Sequence, residues 1–371
     1  MSISIKTKIY SSLKKTFFYS IMFFLSVVFL NFSCWIILRL RMEKKVDDRY
    51  LLPVYQDKNY SKQIFEEFNT LKTDYYSYIE WRRLKFIGKT THINEQGYRY
   101  NPNMRNVAFG KNVCFLGGST MWGTGVDDFN TIPSIWNNLK GNNNFNGVNL
   151  GESGFDSRQS LESFINLIVS GKKIDCVVCY VGVNEISRCR KIITSNSHVY
   201  EKTFRDKINE DNSYPRYMLY RYTQTLIKDV YNKIKKNKND DYQYQCDCNA
   251  KRTEVVAETM FSNLKIIKHL VESQGGIFIA ILQPVIYVGN PDKSYLQKYT
   301  NNVFEKEDLN YRALYEKILS LRESKYQWLI NFTHAFDKRK NIYIDHCHVG
   351  NQGNRIIAEK LDSLIKTQHL L

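Results

Sequence analysis

Residues 17–38 read FFYSIMFFLSVVFLNFSCWIIL, a run of 22 positions without a charge. As a helix such a run reaches about 33 Å, enough to cross a hydrocarbon core of about 30 Å. Lys14 and Lys15 stand before it, Arg39 and Arg41 follow, and Trp35 suits a membrane interface near its far end. A cleaved signal peptide would have a shorter apolar stretch, about 7–15 residues, and an A-x-A-like cleavage site. Cys34 lies in a poor context for a lipoprotein cysteine, since Asn31 and Phe32 precede it and apolar residues continue beyond it. The expectation is a basic N-terminal tail over 1–16 and one uncleaved transmembrane helix over 17–38. Orientation is a near tie by the positive-inside count. Lys6, Lys8, Lys14 and Lys15 lie on one flank; Arg39, Arg41, Lys44, Lys45 and Arg49 lie on the other.

Residues 39–105 are charged and aromatic at first and then polar, with Gly97 and Pro102. They are expected to form a stalk or packing arm, helical around 64–80, followed by an entry loop. From about residue 106 the pattern changes. Short apolar runs at 113–116, 147–150 and 174–181 are each followed by glycine; a fourth, 276–282, is followed by Gln283-Pro284, and a fifth lies at 328–332. Helical patterns at 132–139, 157–169, 255–273 and 309–321 separate them, and 354–365 predicts a terminal helix. Strand-then-helix alternation predicts an α/β domain over 106–371, a parallel sheet with helices on both faces. Ligands of such sheets bind beyond the carboxyl ends of the strands. Between about 187 and 253 the alternation is lost in a Tyr-, Lys- and Asn-rich insertion. It predicts either a solvated excursion or a lid placed directly after the third strand end.

Composition narrows the partners. The 371 residues carry a formal net charge of +16. The basic residues are spread along the chain, and no zinc-finger or RNP pattern is present, so a nucleic-acid partner is not expected. Of eight cysteines, Cys34 falls in the anchor, and Cys114, Cys176 and Cys179 fall in apolar strand runs as core residues. Cys246 and Cys248 lie in a polar loop open to a disulfide, with Cys189 as a further candidate partner.

Four places could carry chemistry. Ser119 follows a strand and the pair Gly117-Gly118, where a tight turn and helix-terminal N–H groups favour a developing anion. The surrounding spacing fits neither a P-loop, which needs Lys after its last Gly, nor G-x-G-x-x-G, nor the G-x-S-x-G elbow. Gly151-Glu152-Ser153-Gly154 follows the second strand and Gly182-Val183-Asn184-Glu185 the third. Asp345-His346-Cys347-His348 lies near the end. A carboxylate three residues before a histidine can hold the ring's tautomer and let it act as a base. That spacing favours His348 over His346. The ligand types of His346, Cys347, His348, Cys246 and Cys248 match no structural zinc spacing, and neither a metal nor a cofactor is expected.

Taken in order, Ser after strand one, Gly after strand two, Asn after strand three and Asp-x-x-His near the end resemble the SGNH (GDSL-like) hydrolase superfamily over roughly 106–371. The resemblance implies a flavodoxin-like three-layer α/β/α sandwich. It implies Ser119 as nucleophile, and Gly154 N–H, the Asn184 amide and Ser119 N–H as oxyanion donors. It further implies His348 as general base, oriented by Asp345. INEQGYRY ahead of strand one is similar to the lead-in of membrane-anchored members associated with envelope glycans. The implied activity is an esterase, deacylase or acyltransferase acting on ester-linked acyl groups, acetyl above all, of a glycan, on the extracytoplasmic side of a bacterial membrane. Gly-Gly-Ser-Thr replaces Gly-Asp-Ser-Leu, and Gly-Val-Asn-Glu replaces Gly-x-Asn-Asp; the catalytic residue types survive both changes. The rival reading is a non-catalytic carbohydrate-binding or scaffold protein on the same fold.

Overall fold

The computed structural model describes residues 2–41, 47–102, 110–139, 145–190, 201, 222–227, 230–231, 244–296 and 304–367. The boundary expected near 106 and most of the 187–253 insertion lie outside the described residues. The chain divides into two compact units: Met1–Val46 with His198–Asp240, and Asp47–Ser197 with Asp241–Leu371. In the first, helix α1 spans Ser2–Arg41. Its stretch Tyr10–Leu40 is long and apolar enough to cross a membrane. Phe17, Phe23 and Phe29 are among its exposed rings. Asn31 within it accepts from the backbone N–H groups of Tyr222 and Thr223 at 3.0 and 3.3 Å.

The second unit is built on a five-stranded parallel sheet. Its strands are β5 (Lys111–Gly117), β6 (Phe145–Asn149), β7 (Cys176–Val181), β8 (Ile277–Leu282) and β9 (Leu329–Asn331), in the order β6-β5-β7-β8-β9. That is the 2-1-3-4-5 order of flavodoxin-like sheets. Crossovers between parallel strands are right-handed, so the direction of travel decides the face on which each helix lands. The first crossover moves one way and carries α4 (Ile132–Leu139). The next three reverse and carry α5 (Ser157–Val169), α6 (Ala250–Glu272) and α7 (Phe304–Ser324) on the opposite face. The last helix, α8 (Asn351–Thr367), returns to pack on α4, while α6 packs on both α5 and α7. Three layers result, and the strands are buried on both faces. Every residue of β7 is buried, and Val113, Cys114, Phe115 and Leu116 of β5 are 0% exposed. Continuous apolar runs, rather than alternating ones, are what such a position requires. Cys114, Cys176 and Cys179 are core residues, and burial pushes each thiol up.

The segment before the sheet departs from the expected helix at 64–80. Helix α2 lies earlier, over Lys58–Thr70, because Asp57 caps it by accepting from Asn59 and Tyr60 N–H. The β-forming stretch that follows makes a hairpin, β1 (Thr73–Tyr76) with β2 (Glu80–Arg83), and then a short pair, β3 (Phe86–Ile87) with β4 (His92–Ile93). Leu52, Tyr55, Ile64, Phe65, Ile79 and Ile93 from this segment are buried, so it is part of the sheet-bearing unit.

Cys189 and Cys246 form a disulfide that closes the base of the insertion. Gln245 N–H donates to Cys189 C=O at 2.9 Å, and Arg190 pairs with Tyr244 across the same neck. Arg252 of α6 donates to the carbonyls of Arg188 and Arg190. The bond joins positions 57 residues apart. By loop-closure entropy, such a link contributes at most about 4 kcal/mol. Replacing both cysteines by serine is therefore expected to lower the thermal midpoint of the full chain, read by the loss of circular dichroism, while Cys248→Ser leaves it unchanged.

Candidate active site

Three strand ends and one late loop meet at Ser119. β5 ends in Gly117 and Gly118, and Ser119 opens the short helix α3 (Ser119–Trp122). Gly118 is required by close approach: a Cβ there would fall 2.1 Å from Asn184 Nδ2. Asn184 follows Gly182, whose φ of +121° lies in the region that favours glycine. It sits in the 3-10 turn Val183–Cys189 beyond β7, and its amide donates to Phe155 C=O at 2.7 Å. One of its two N–H bonds is thereby used to join the third-strand turn to the second. The second turn, 151–154, is tied back to the sheet by Glu152 N–H donating to Gly117 C=O at 3.1 Å, and Gly154 takes a φ of +79°.

His348 comes from the loop before α8. Its Nε2 lies 2.7 Å from Ser119 Oγ, across 229 residues of sequence. Its Nδ1 lies 2.8 and 2.9 Å from the two oxygens of Asp345. A carboxylate can only accept, so Nδ1 carries the proton and Nε2 is left to accept from the serine hydroxyl. Asp345 also accepts from the backbone N–H groups of Cys347 and His348, at 3.0 and 2.9 Å. His346 lies apart from this line. Its Nδ1 is 3.9 Å from Asp345, beyond hydrogen-bond reach, and its ring is near those of Tyr287 and Tyr311. Burial lowers its basicity, with Asp345 opposing. Asp345, Cys347 and His348 also offer three metal-ligand atoms within 4.8 Å of one another, but the carboxylate and Nδ1 are already joined by hydrogen bonds.

Sequence reasoning missed Arg49, which it had counted among the basic flank of the membrane helix. Arg49 Nη1 donates to Asp345 Oδ2 at 2.6 Å, and its other nitrogens are held by Asp47. Burial alone would push the Asp345 carboxyl up. The charge and hydrogen bond of His348, then the charges of His346 and Arg49, overcome this and hold it well below the usual carboxylate range. A lowered carboxyl contributes stability that is present above its unfolded pKa and lost only as pH falls through the folded value. The carboxylate is therefore charged at any pH near neutrality.

Behind Asn184 lies a buried ionic cluster. Arg188 Nη2 meets Asp156 at 2.7 Å, and Glu185, 1% exposed, accepts from Ser157 N–H at 2.6 Å. Burial, then the charge of Asp156, push the Glu185 carboxyl up, and Arg188 opposes them. Glu185 is the residue where the third block departs from the Gly-x-Asn-Asp pattern it resembles. Asp156 also caps α5 in a capping box with Gln159, a D-x-x-Q signal readable in the sequence.

No protein-family model matches this sequence, and no curated protein matches it significantly. Among solved structures, the chain is similar to a carbohydrate acetylesterase family member from Sinorhizobium meliloti (12% identity, 69% of this chain and 98% of that chain, TM-score 0.37). It is similar also to a member of the lipolytic protein G-D-S-L family from Veillonella parvula (13%, 69% and 98%, TM-score 0.37) and to an acetyl xylan esterase (16%, 68% and 99%, TM-score 0.39). At this degree of likeness the function has to be argued from the site's own geometry.

Removing the Arg49 cation from Asp345 is expected to cost about tenfold in turnover, the worth of one charge-assisted hydrogen bond. Arg49→Ala should lower kcat on an ester substrate with little change in KM, and Arg49→Lys should recover part of the loss.

Proposed function

We propose that this protein is a membrane-anchored serine esterase of the SGNH type. The observation that carries the reading is the continuous line Ser119 Oγ–His348 Nε2, His348 Nδ1–Asp345, at 2.7 and 2.8 Å. A serine hydroxyl is a weak nucleophile until a base accepts its proton as it attacks. Here His348 takes the proton at Nε2 while the ionised Asp345 stabilises the imidazolium that forms.

Attack of Ser119 Oγ on an ester carbonyl gives a tetrahedral intermediate with negative charge on the former carbonyl oxygen. Ser119 N–H, Gly154 N–H and the second N–H of Asn184 are the donors proposed to receive it. Each such donor is worth about 3–4 kcal/mol at the transition state. His348 returns its proton to the leaving alkoxide, and the acyl group stays on Ser119. Water or a sugar hydroxyl, deprotonated in turn by His348, resolves the acyl-enzyme; the first makes an esterase, the second a transferase.

The substrate class proposed is an O-acetylated glycan of the cell envelope. Support comes from the lead-in INEQGYRY and the anchor-like helix. The Cys189–Cys246 disulfide supports a domain outside the reducing cytosol. Protease protection on intact cells tests that placement.

A fluorophosphonate probe is expected to label the wild type and not Ser119→Ala; equal labelling of both would remove Ser119 as nucleophile. His348→Ala should lower ester turnover by about a thousandfold or more, and His346→Ala by no more than about threefold. The reverse ranking would assign the base to His346. Product analysis with acetylated oligosaccharides, with and without acceptor sugars, separates hydrolysis from transfer.

A further inference from the structure

The β1–β2 hairpin takes no part in the serine–histidine–aspartate line, yet it is fastened to the turn that carries Gly154. Trp81 Nε1 donates to Ser153 C=O at 3.0 Å, Arg83 Nη2 donates to Ser153 Oγ at 2.8 Å, and Arg83 forms a buried pair with Glu152. The Trp81 ring lies against Gly154: a Cβ added there would sit 3.3 Å from Trp81 Cζ2. Tyr75 is the cross-strand partner of Trp81, a register that places both side chains on one face of the ribbon. Tyr75 is 66% exposed, and Tyr78 at the turn is 81% exposed.

The shape of this hairpin is specified by the fold. Tyr78 and Glu80 hold positive φ values of 67° and 84°, a region that residues with a side chain avoid. Between them Ile79 is buried, and its carbonyl accepts from Gln159 Nε2 at 3.2 Å. The turn drives one aliphatic side chain into the core and leaves tyrosines on the outside.

We infer that the Tyr75–Trp81 face is a sugar-binding shelf that receives a pyranose ring of the glycan whose acyl ester reaches Ser119. This rests on the esterase reading above and names how that site selects its substrate. A tyrosine or tryptophan ring offers a flat apolar face with a polar edge. A pyranose has the matching surface, C–H bonds on one face and hydroxyls around the rim. The shelf is continuous with the Gly154 turn, so a ring stacked on it lies next to the proposed oxyanion donors. Charge separates this occupant from a lipid surface. Membrane-binding aromatic patches carry Lys or Arg among the rings. Of the hairpin's bases, Arg82 and Arg83 are buried, Lys85 pairs with Glu95, and Lys72 stands beside the segment 73–78, TDYYSY, which itself has one acid and no base.

The test compares two esters on the full chain in lipid nanodiscs: O-acetylated chitotriose, and p-nitrophenyl acetate, which has no sugar. Tyr75→Ala is expected to lower kcat/KM on the trisaccharide about tenfold, chiefly through KM, and to leave p-nitrophenyl acetate within about twofold. Tyr75→Phe, which keeps the ring, should stay within about threefold of wild type on both. Equal losses on both esters, or on neither, would overturn the shelf. Binding separates this inference from the esterase reading. Calorimetric titration of Ser119→Ala with chitotriose should show binding that weakens about tenfold on adding Tyr75→Ala. If the wild type cleaves neither ester, the esterase reading fails and this titration still decides the shelf. Quenching of Trp81 emission by brominated lipid, identified by its loss in Trp81→Phe, would put the hairpin in the bilayer and overturn the proposal.

Discussion

The site depends on keeping one partly buried carboxylate charged. Asp345 has to be an anion to hold His348 in the tautomer that leaves Nε2 free to accept from Ser119. Taking a carboxylate out of water favours its neutral form. The fold answers with two backbone N–H groups from the same loop, the imidazole itself, and the guanidinium of Arg49. Three of these four come from residues within three positions of Asp345. The fourth lies 296 residues away in sequence, at the start of the unit. The local loop aims the carboxylate, and the distant arginine balances its charge.

This division explains what could be read from the sequence. The sheet and its order of elements were legible because parallel strands buried on both faces must be short and apolar, as 113–116 and 174–181 are. The four candidate stretches were legible because strand-end turns need glycine and because an Asp-x-x-His spacing is local. Arg49 was not legible. A single arginine beside a long apolar run carries no mark of the contact it will make, and by charge alone it counts toward topology. The hairpin was missed for a related reason. Residues 64–80 hold enough helix-compatible positions to suggest one helix, and only the cap at Asp57 and the β-formers after Thr73 divide them. The pairing of Cys189 with Cys246, rather than Cys246 with Cys248, depends on where α6 returns to the third strand end, which no local spacing encodes.

The Cys189–Cys246 bond has a second consequence. The turn that begins at Val183 carries Asn184 at one end and Cys189 at the other. Asn184 is held forward by Phe155, Arg188 by Asp156, and Cys189 by the disulfide. Whatever the inserted residues do, the chain leaves and re-enters the unit through a neck that is covalently closed. The bond thus fixes the far end of the turn that carries Asn184.

The same economy of fixed contacts surrounds Ser119. Trp122, three residues after Ser119, is buried against two guanidinium groups, Arg83 at 4.0 Å and Arg99 at 4.3 Å from its ring centroid. Arg83 pairs with Glu152 of the second turn, and Arg99 with Asp128 while donating to the carbonyls of Trp122, Gly123 and Val126. Buried pairs of this kind contribute little net stability, because desolvation offsets most of the attraction. Leaving one partner alone is costly, however, so alternative packings that separate them are disfavoured. The cluster thus acts on geometry more than on stability. It fixes the serine turn, the glycine turn and the N-terminal arm relative to one another. The charge-receiving role proposed for this site needs that rigidity.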